Sequence, residues 1–171
     1  MNYITDRHHN FDNGYIALCD LQLKGLPREI VIDGENLPVQ TEHHISLICT
    51  KRLVPLLTLK NSNGVEQEFI TAFLEFEAQQ HITEYEVTNE FFVVEKDDRK
   101  SIVVKCNVPY LDELFQSLND TFEQDFPKQV AHITLFARNN AGIGLISDEE
   151  LARIAKPINL PELSELRKAF E

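Results

Sequence analysis

Positive charge is scarce in this sequence. Sixteen Lys and Arg stand against 28 Asp and Glu, a formal net charge of −12 over 171 residues. Tight binding of a long nucleic-acid duplex rests on Lys and Arg neutralising phosphates, and between Glu66 and Asp98 ten carboxylates face Lys96 alone. A broad duplex-binding face is therefore excluded, whereas a small ligand or a strand end held in a local pocket is not. Long apolar runs are also missing. "ISLIC" and "LVPLLTL" fall far short of the roughly 20 residues that cross a bilayer, and "MNYITDRHHNFDNG" has no apolar signal-peptide core. We expect no membrane association and a cytoplasmic location. Cys19, Cys49 and Cys106 are odd in number and unpatterned in spacing, which points to reduced thiols rather than a disulfide framework. No Ser/Gly linker or low-complexity tract divides the chain, so residues 1–171 read as one domain, expected to be monomeric, with 43% hydrophobic residues to build a core.

Several catalytic signatures are absent too. There is no Gly-x-Ser-x-Gly elbow, no Cys-x-x-Cys pair and no phosphate-cradling glycine loop. "GIGL" (142–145) has two glycines outside any such spacing and reads as a loop.

What is present is a mixture of helix and strand patterns. "GYIALCDLQL" (14–23) predicts a first strand, and the Pro- and Gly-bearing stretch after it predicts a loop with a short strand or turn. "HHISLICT" predicts a second strand. In "KRLVPLLTL" Pro55 suits only a first helical turn, and "NSNG" (61–64) marks a turn. Phe69, Ala72, Phe73 and Phe76 share one face of a helix over 65–80. Two β-branched runs around "KDDRK" predict a hairpin, and Pro109 opens a helix carrying Leu111, Leu114, Phe115, Leu118 and Phe122. "QVAHITLFA" is a third strong strand. Ser147 and Glu150 form a capping-box pattern, and "PELSELRKAF" predicts a final helix. Without a regular βαβ rhythm, α+β is the expected class.

Two strands carry the same local grammar, "HHISLIC" and "VAHITLF". Side chains at i and i+2 of a strand share a face, so His44 pairs with Ser46 and His132 with Thr134. Ile45, Leu47, Ile133 and Leu135 point the other way, into a core. If the strands are neighbours, two imidazoles and two hydroxyls converge on one cleft. One neutral imidazole takes a proton, a protonated one gives a proton, and the hydroxyls bind phosphate oxygens. Neither strand has a carboxylate on its histidine face, and zinc needs at least three ligands, so we expect no metal and no cofactor.

These motifs, with "FPKQVAHITLFAR", resemble the two-histidine (2H) phosphoesterase superfamily, and their spacing resembles that of its RNA ligase-like 2′,3′-cyclic phosphodiesterases. The resemblance implies His44 and His132 as the proton-transfer pair, the first acid and the second base, with Ser46 and Thr134 binding phosphate. Together with the repeated motif it gives an expected α+β fold that is bilobal, with pseudo-duplicated antiparallel sheets and flanking helices around a central cleft. The expected substrate is a 2′,3′-cyclic phosphate of a nucleotide or RNA end. A 2′-5′ oligonucleotide, a cyclic oligonucleotide and a non-catalytic nucleotide-binding role are the alternatives.

Other residues carry less chemistry. Arg138 shares strand parity with His132 if the strand stays regular, and is a candidate phosphate contact. Lys51, Arg52, Phe11 and Tyr15 are weaker candidates for phosphate or base. His43 has the opposite parity to His44 and is expected to face away, His81 reads as a helix-exit residue, and His8 and His9 are expected to be solvated.

Overall fold

The computed structural model describes residues 8–11, 14–57 and 64–168. The predicted "NSNG" turn, apart from Gly64, and the end of "LVPLLTL" lie outside them. The strands and helices run in the order β1 (His9–Asn10), β2 (Ile16–Leu18), β3 (Leu23–Lys24), β4 (Glu29–Ile32), β5 (Glu35–Pro38), β6 (Ile45–Ile48), α1 (Thr50–Leu53) and α2 (Val65–Gln79). They continue with β7 (Glu86–Lys96), β8 (Arg99–Asn107), α3 (Leu111–Phe122), β9 (His132–Ala137), α4 (Asp148–Ile154), β10 (Ala155–Ile158) and β11 (Arg167–Lys168). Every strand pairing is antiparallel, and helices are interspersed among them, so the class is α+β.

Two sheets carry the motifs. The first runs β1-β2-β6 and the second β10-β7-β8-β9, so each motif strand is an edge strand. The sheets meet through segment 39–40. Val39 bridges Phe136, and the Gln40 N–H donates to the Leu135 carbonyl at 2.8 Å. Ile45, Leu47, Ile133 and Leu135 are each 0% exposed and belong to one core with Phe69 and Phe73 of α2 and Leu114 of α3. Full burial of such a side chain stabilises by roughly 1.5–3 kcal/mol, so the apolar positions of both motifs anchor the two strands to the same body. The opposite face of the second sheet packs Val94 and Val103 under Val130, Ile143, Leu145 and Leu151.

Some local expectations are corrected. Segment 24–40 contains a whole hairpin, β4–β5, turned by Asp33 and Gly34 at φ 52° and 79°, the two left-handed positions of a tight hairpin turn. Pro109 precedes α3 instead of opening it, because Tyr110 takes a left-handed φ of 70° just before the first helical residue. "PELSELRKAF" is not a helix where described: it makes a short 3-10 turn at Pro161–Leu163 and then β11, paired with β3. Tertiary pairing overrides the helical spacing here. At that pairing Gly25 (φ 91°) lies so close to the Glu165 carbonyl that a Cβ would sit 2.5 Å from its oxygen. Ser147 does cap α4, its Oγ accepting the Glu150 N–H at 3.0 Å.

The Glu150 side chain, however, does not close the capping box. It takes a bidentate pair from Arg52, with Nη1 and Nη2 each 2.6 Å from a carboxylate oxygen. This joins the segment after the first motif to the segment after the second. Burial pushes the Glu150 carboxyl up, but the hydrogen bonds and charge of Arg52 outweigh it and hold the carboxyl below the ordinary value of 4.5. Glu150 is 4% exposed and Arg52 29%, so removing the arginine leaves the more deeply buried partner with only the looser contact to Arg153 Nη2 at 3.7 Å. Arg52→Ala is expected to cost about 2 kcal/mol in urea unfolding, and more than Glu150→Ala. A depressed folded pKa means that the contribution is present above the carboxyl's unfolded value and is lost as pH falls through the folded one. The gap between wild type and Arg52→Ala should therefore narrow as pH falls below the ordinary Glu value and close only below the lowered folded one.

Candidate active site

His44 immediately precedes β6, and burial alternates from there on: Ile45 and Leu47 are buried, Ser46 is half-buried and His44 is exposed. Ser46 pairs with Ala17 of β2, and Ala17 in turn pairs with Asn10 of β1. In an antiparallel sheet directly opposed residues share a face, so Asn10, Ala17 and Ser46 line one side, with His44 two positions before Ser46. A cavity of about 630 Å³ opens there, lined by His44 with Tyr15, Cys19, Asp20, Glu42 and His43 among others. That volume suits a ligand of nucleotide size.

His132 begins β9 and lies opposite Lys105 of β8, while Thr134 lies opposite Val103. His132 is 6% exposed. Its Nδ1–H donates to the Val130 carbonyl at 2.8 Å. A carbonyl can only accept, so this bond fixes the neutral ring as the Nδ1–H tautomer and leaves the Nε2 lone pair as the basic site. Thr134 is half-buried, and Gly142 passes beside its hydroxyl.

His132 lies within reach of the charge of His44. Burial lowers the His132 pKa below 6.5, the Val130 carbonyl resists that shift, and the charge of His44 lowers it further. The Ile143 backbone also favours the charged ring. Desolvation by surrounding protein lowers His44 as well, even though its ring reaches solvent, and the Glu42 carboxylate pulls the other way. His44 is the more accessible of the two and has a carboxylate beside it, whereas His132 is deeply buried.

Comparison of the chain with family models, with curated proteins and with solved structures finds no match. The site is thus described by its own residues.

The charge of His44 is felt at His132 and the two motif strands share one core, but the cavity beside His44 is not lined by His132, Ser46 or Thr134. The structure does not bring Arg138 to either histidine. Ile102 lies opposite Phe136 and Val103 opposite Thr134, so Leu135 is an extra residue, a β-bulge that reverses the alternation after Thr134. The strand ends at Ala137, and Arg138 sits roughly 20 Å along it from His132 at about 3.3 Å per residue. There Arg138 Nε and Nη2 donate to the two Glu35 carboxylate oxygens at 2.6 Å each, and Nη1 to the Asp98 carbonyl at 3.0 Å. Arg138→Gln is expected to leave kcat/KM within about twofold of wild type and to change the unfolding midpoint little, as for a solvent-screened pair. Steady-state kinetics and a denaturant titration check both.

Other histidines correct the sequence reading. His43 lines the same cavity as His44, because residues 43–44 precede the strand and its parity does not govern them. Its buried Nε2 has no protein partner, and desolvation followed by the charge of His44 lowers its pKa. His9 is fully buried: its Nε2–H donates to the Ile82 carbonyl at 2.7 Å and its ring sits edge-on to Phe73 at 5.0 Å. His81 is exposed beside Glu77. Lys51 lies over the Tyr15 ring, 4.3 Å from its centroid, a cation–aromatic pair beside the cavity with no signal in sequence spacing. Among the described residues no three His, Cys, Asp or Glu side chains group as a metal's ligands would, and no helix is long and apolar enough to cross a membrane.

Proposed function

We propose that this chain is a metal-independent phosphodiesterase acting on a 2′,3′-cyclic phosphate of a nucleotide or RNA end. The observation that carries the reading is the placement of His44 and His132: one imidazole just before a strand and one at the start of a strand, the apolar positions of both strands entering the same core, with a hydroxyl two residues beyond each and the charge of His44 felt at His132. Water attacks phosphorus and gives its proton to His132 Nε2. The bond from phosphorus to one ribose oxygen breaks, and that oxygen takes the proton of His44. Ser46 and Thr134 bind the non-bridging oxygens. Afterwards the two rings exchange protons with solvent and return to their starting states. Each motif sheet then forms one lobe of a pseudo-duplicated pair, and the substrate lies between them in a monomeric, cytoplasmic enzyme.

The test is product analysis in EDTA with a panel of 2′,3′-cyclic nucleotides, an RNA ending in a cyclic phosphate, a 2′-5′ oligoadenylate and cyclic dinucleotides. Ring opening of the first two to a monoester is the expected result. Turnover confined to the other members would move the substrate within the same chemistry. Binding without turnover on any of them would make the protein a nucleotide-binding module.

A further inference from the structure

The cavity beside His44 has a floor, and the floor is one face of β2 and its flanks. Tyr15, Ala17 and Cys19 all line the cavity, and alternate residues of an extended chain point to one side. Ile16 and Leu18, between them, are buried in the core. The ladder with β1 runs on past Leu18, since the Cys19 N–H donates to the His8 carbonyl at 2.8 Å. Because Leu18 pairs with Ile45, His44 stands at the Cys19 end of this face. Tyr15 stands at the other end, roughly 13 Å along the strand at about 3.3 Å per residue. Ala17 lies between the two ends and contributes only a methyl group. The middle of the floor is thus open, with an imidazole at one end and a phenol ring at the other.

Tyr15 is held from outside the cavity. Gly14 takes a left-handed φ of 78°, and its carbonyl accepts the Lys51 N–H at 3.1 Å. A Cβ on Gly14 would lie 2.8 Å from the Lys51 Cβ, so glycine lets the lysine stem pass against this turn. The Lys51 ammonium donates to the Tyr15 hydroxyl at 2.5 Å and stands 4.3 Å from the ring centroid. Lys51 does not itself line the cavity, so it fixes the ring without filling the space. A ring pinned in this way loses little further freedom on meeting a ligand.

The charges of the lining decide what the Tyr15 end takes. Among the described residues the lining includes Asp20 and Glu42 but no lysine or arginine. Such a cavity disfavours a second phosphate. A nucleobase is neutral, and every base has a π-face that an aromatic ring can meet.

We propose that Tyr15, pinned by Lys51, is the platform for the nucleobase of the substrate while the cyclic phosphate lies at His44. The inference rests on the phosphodiesterase reading and deepens it, because it makes the base a required part of the substrate. Ala17 keeps the floor low where the ribose crosses it.

The experiment is steady-state kinetics of the full-length protein on two substrates. One is adenosine 2′,3′-cyclic phosphate; the other is glycerol 1,2-cyclic phosphate, a five-membered cyclic phosphate without a base. Wild type is expected to favour the nucleotide. Tyr15→Ala should raise KM for the nucleotide about tenfold, the loss of one stacked base, with kcat within about twofold. On the glycerol ester the same variant should keep its kcat/KM, which shows that the reacting centre is intact. Tyr15→Phe retains the ring and should stay within about threefold of wild type on both substrates. A wild-type KM for the nucleotide in Tyr15→Ala, or equal losses on both substrates, would overturn the platform and leave the phosphodiesterase reading standing. A wild-type protein that opens neither substrate would overturn both.

Discussion

His132→Gln is expected to lower kcat/KM for a 2′,3′-cyclic nucleotide by about three orders of magnitude, within the range typical of a lost general base, with the fold retained. Glutamine keeps a donor for the Val130 carbonyl, which orients the ring, and fills most of the same buried space. It has no lone pair basic enough to take a proton from water. The loss should fall on kcat and kcat/KM alike, because a proton transfer is made only in the transition state. Thermal unfolding is the control. A variant that unfolds within a few degrees of wild type and still turns over at a tenth of its rate would remove His132 from the chemistry.

The second large effect is in the pH profile of kcat/KM. Activity requires His44 charged and His132 neutral, so the rate falls on the alkaline side as His44 loses its proton and on the acid side as His132 gains one. Burial and desolvation displace both pKa values below 6.5. The midpoint of two values that are both below 6.5 is also below 6.5, whichever ring is the acid. A bell with its maximum on the acid side of pH 6.5 is therefore expected, and a rate that keeps climbing above pH 8 would contradict the pairing. Depressed histidine pKa values also mean that the unfolded chain takes up protons first as pH drops below about 6.5, so stability declines on that side as well. Enzyme held at each acid pH and returned to pH 6.5 should recover full activity, which separates titration from unfolding. His132→Gln should lose the acid limb of the bell and keep the alkaline one.

How far the sequence could be read depended on the range of the interaction involved. Alternation in "ISLI" and "HITL" marked the two sides of each motif strand, because a half-buried strand writes its two sides into neighbouring residues. Helix α2 was legible from Phe69 and Phe73 and helix α3 from Leu114 and Leu118, and the β7–β8 hairpin was legible around Asp97. The failures came where a distant contact decides. One extra residue at Leu135 turns Arg138 off the histidine face, and a bulge leaves no periodic trace. His9 is buried by Phe73 and Ile82, which no local rule connects to it. The helical spacing of the C-terminal segment yields to pairing with Leu23–Lys24. The Glu150 side chain, which fits a capping box by spacing, goes to Arg52. Gly142 was a plain loop residue by pattern, and its nearness to Thr134 shows only in the fold.

The most direct test of two-histidine chemistry is kcat/KM in EDTA, on one cyclic phosphate substrate, for wild type, His44→Gln, His132→Gln and the double variant. An acid and a base that serve the same step act as a unit. The double variant is therefore expected to fall within about tenfold of the worse single one, with all three about a thousandfold or more below wild type. Single variants that keep wild-type turnover, or losses that multiply in the double variant, would contradict the account.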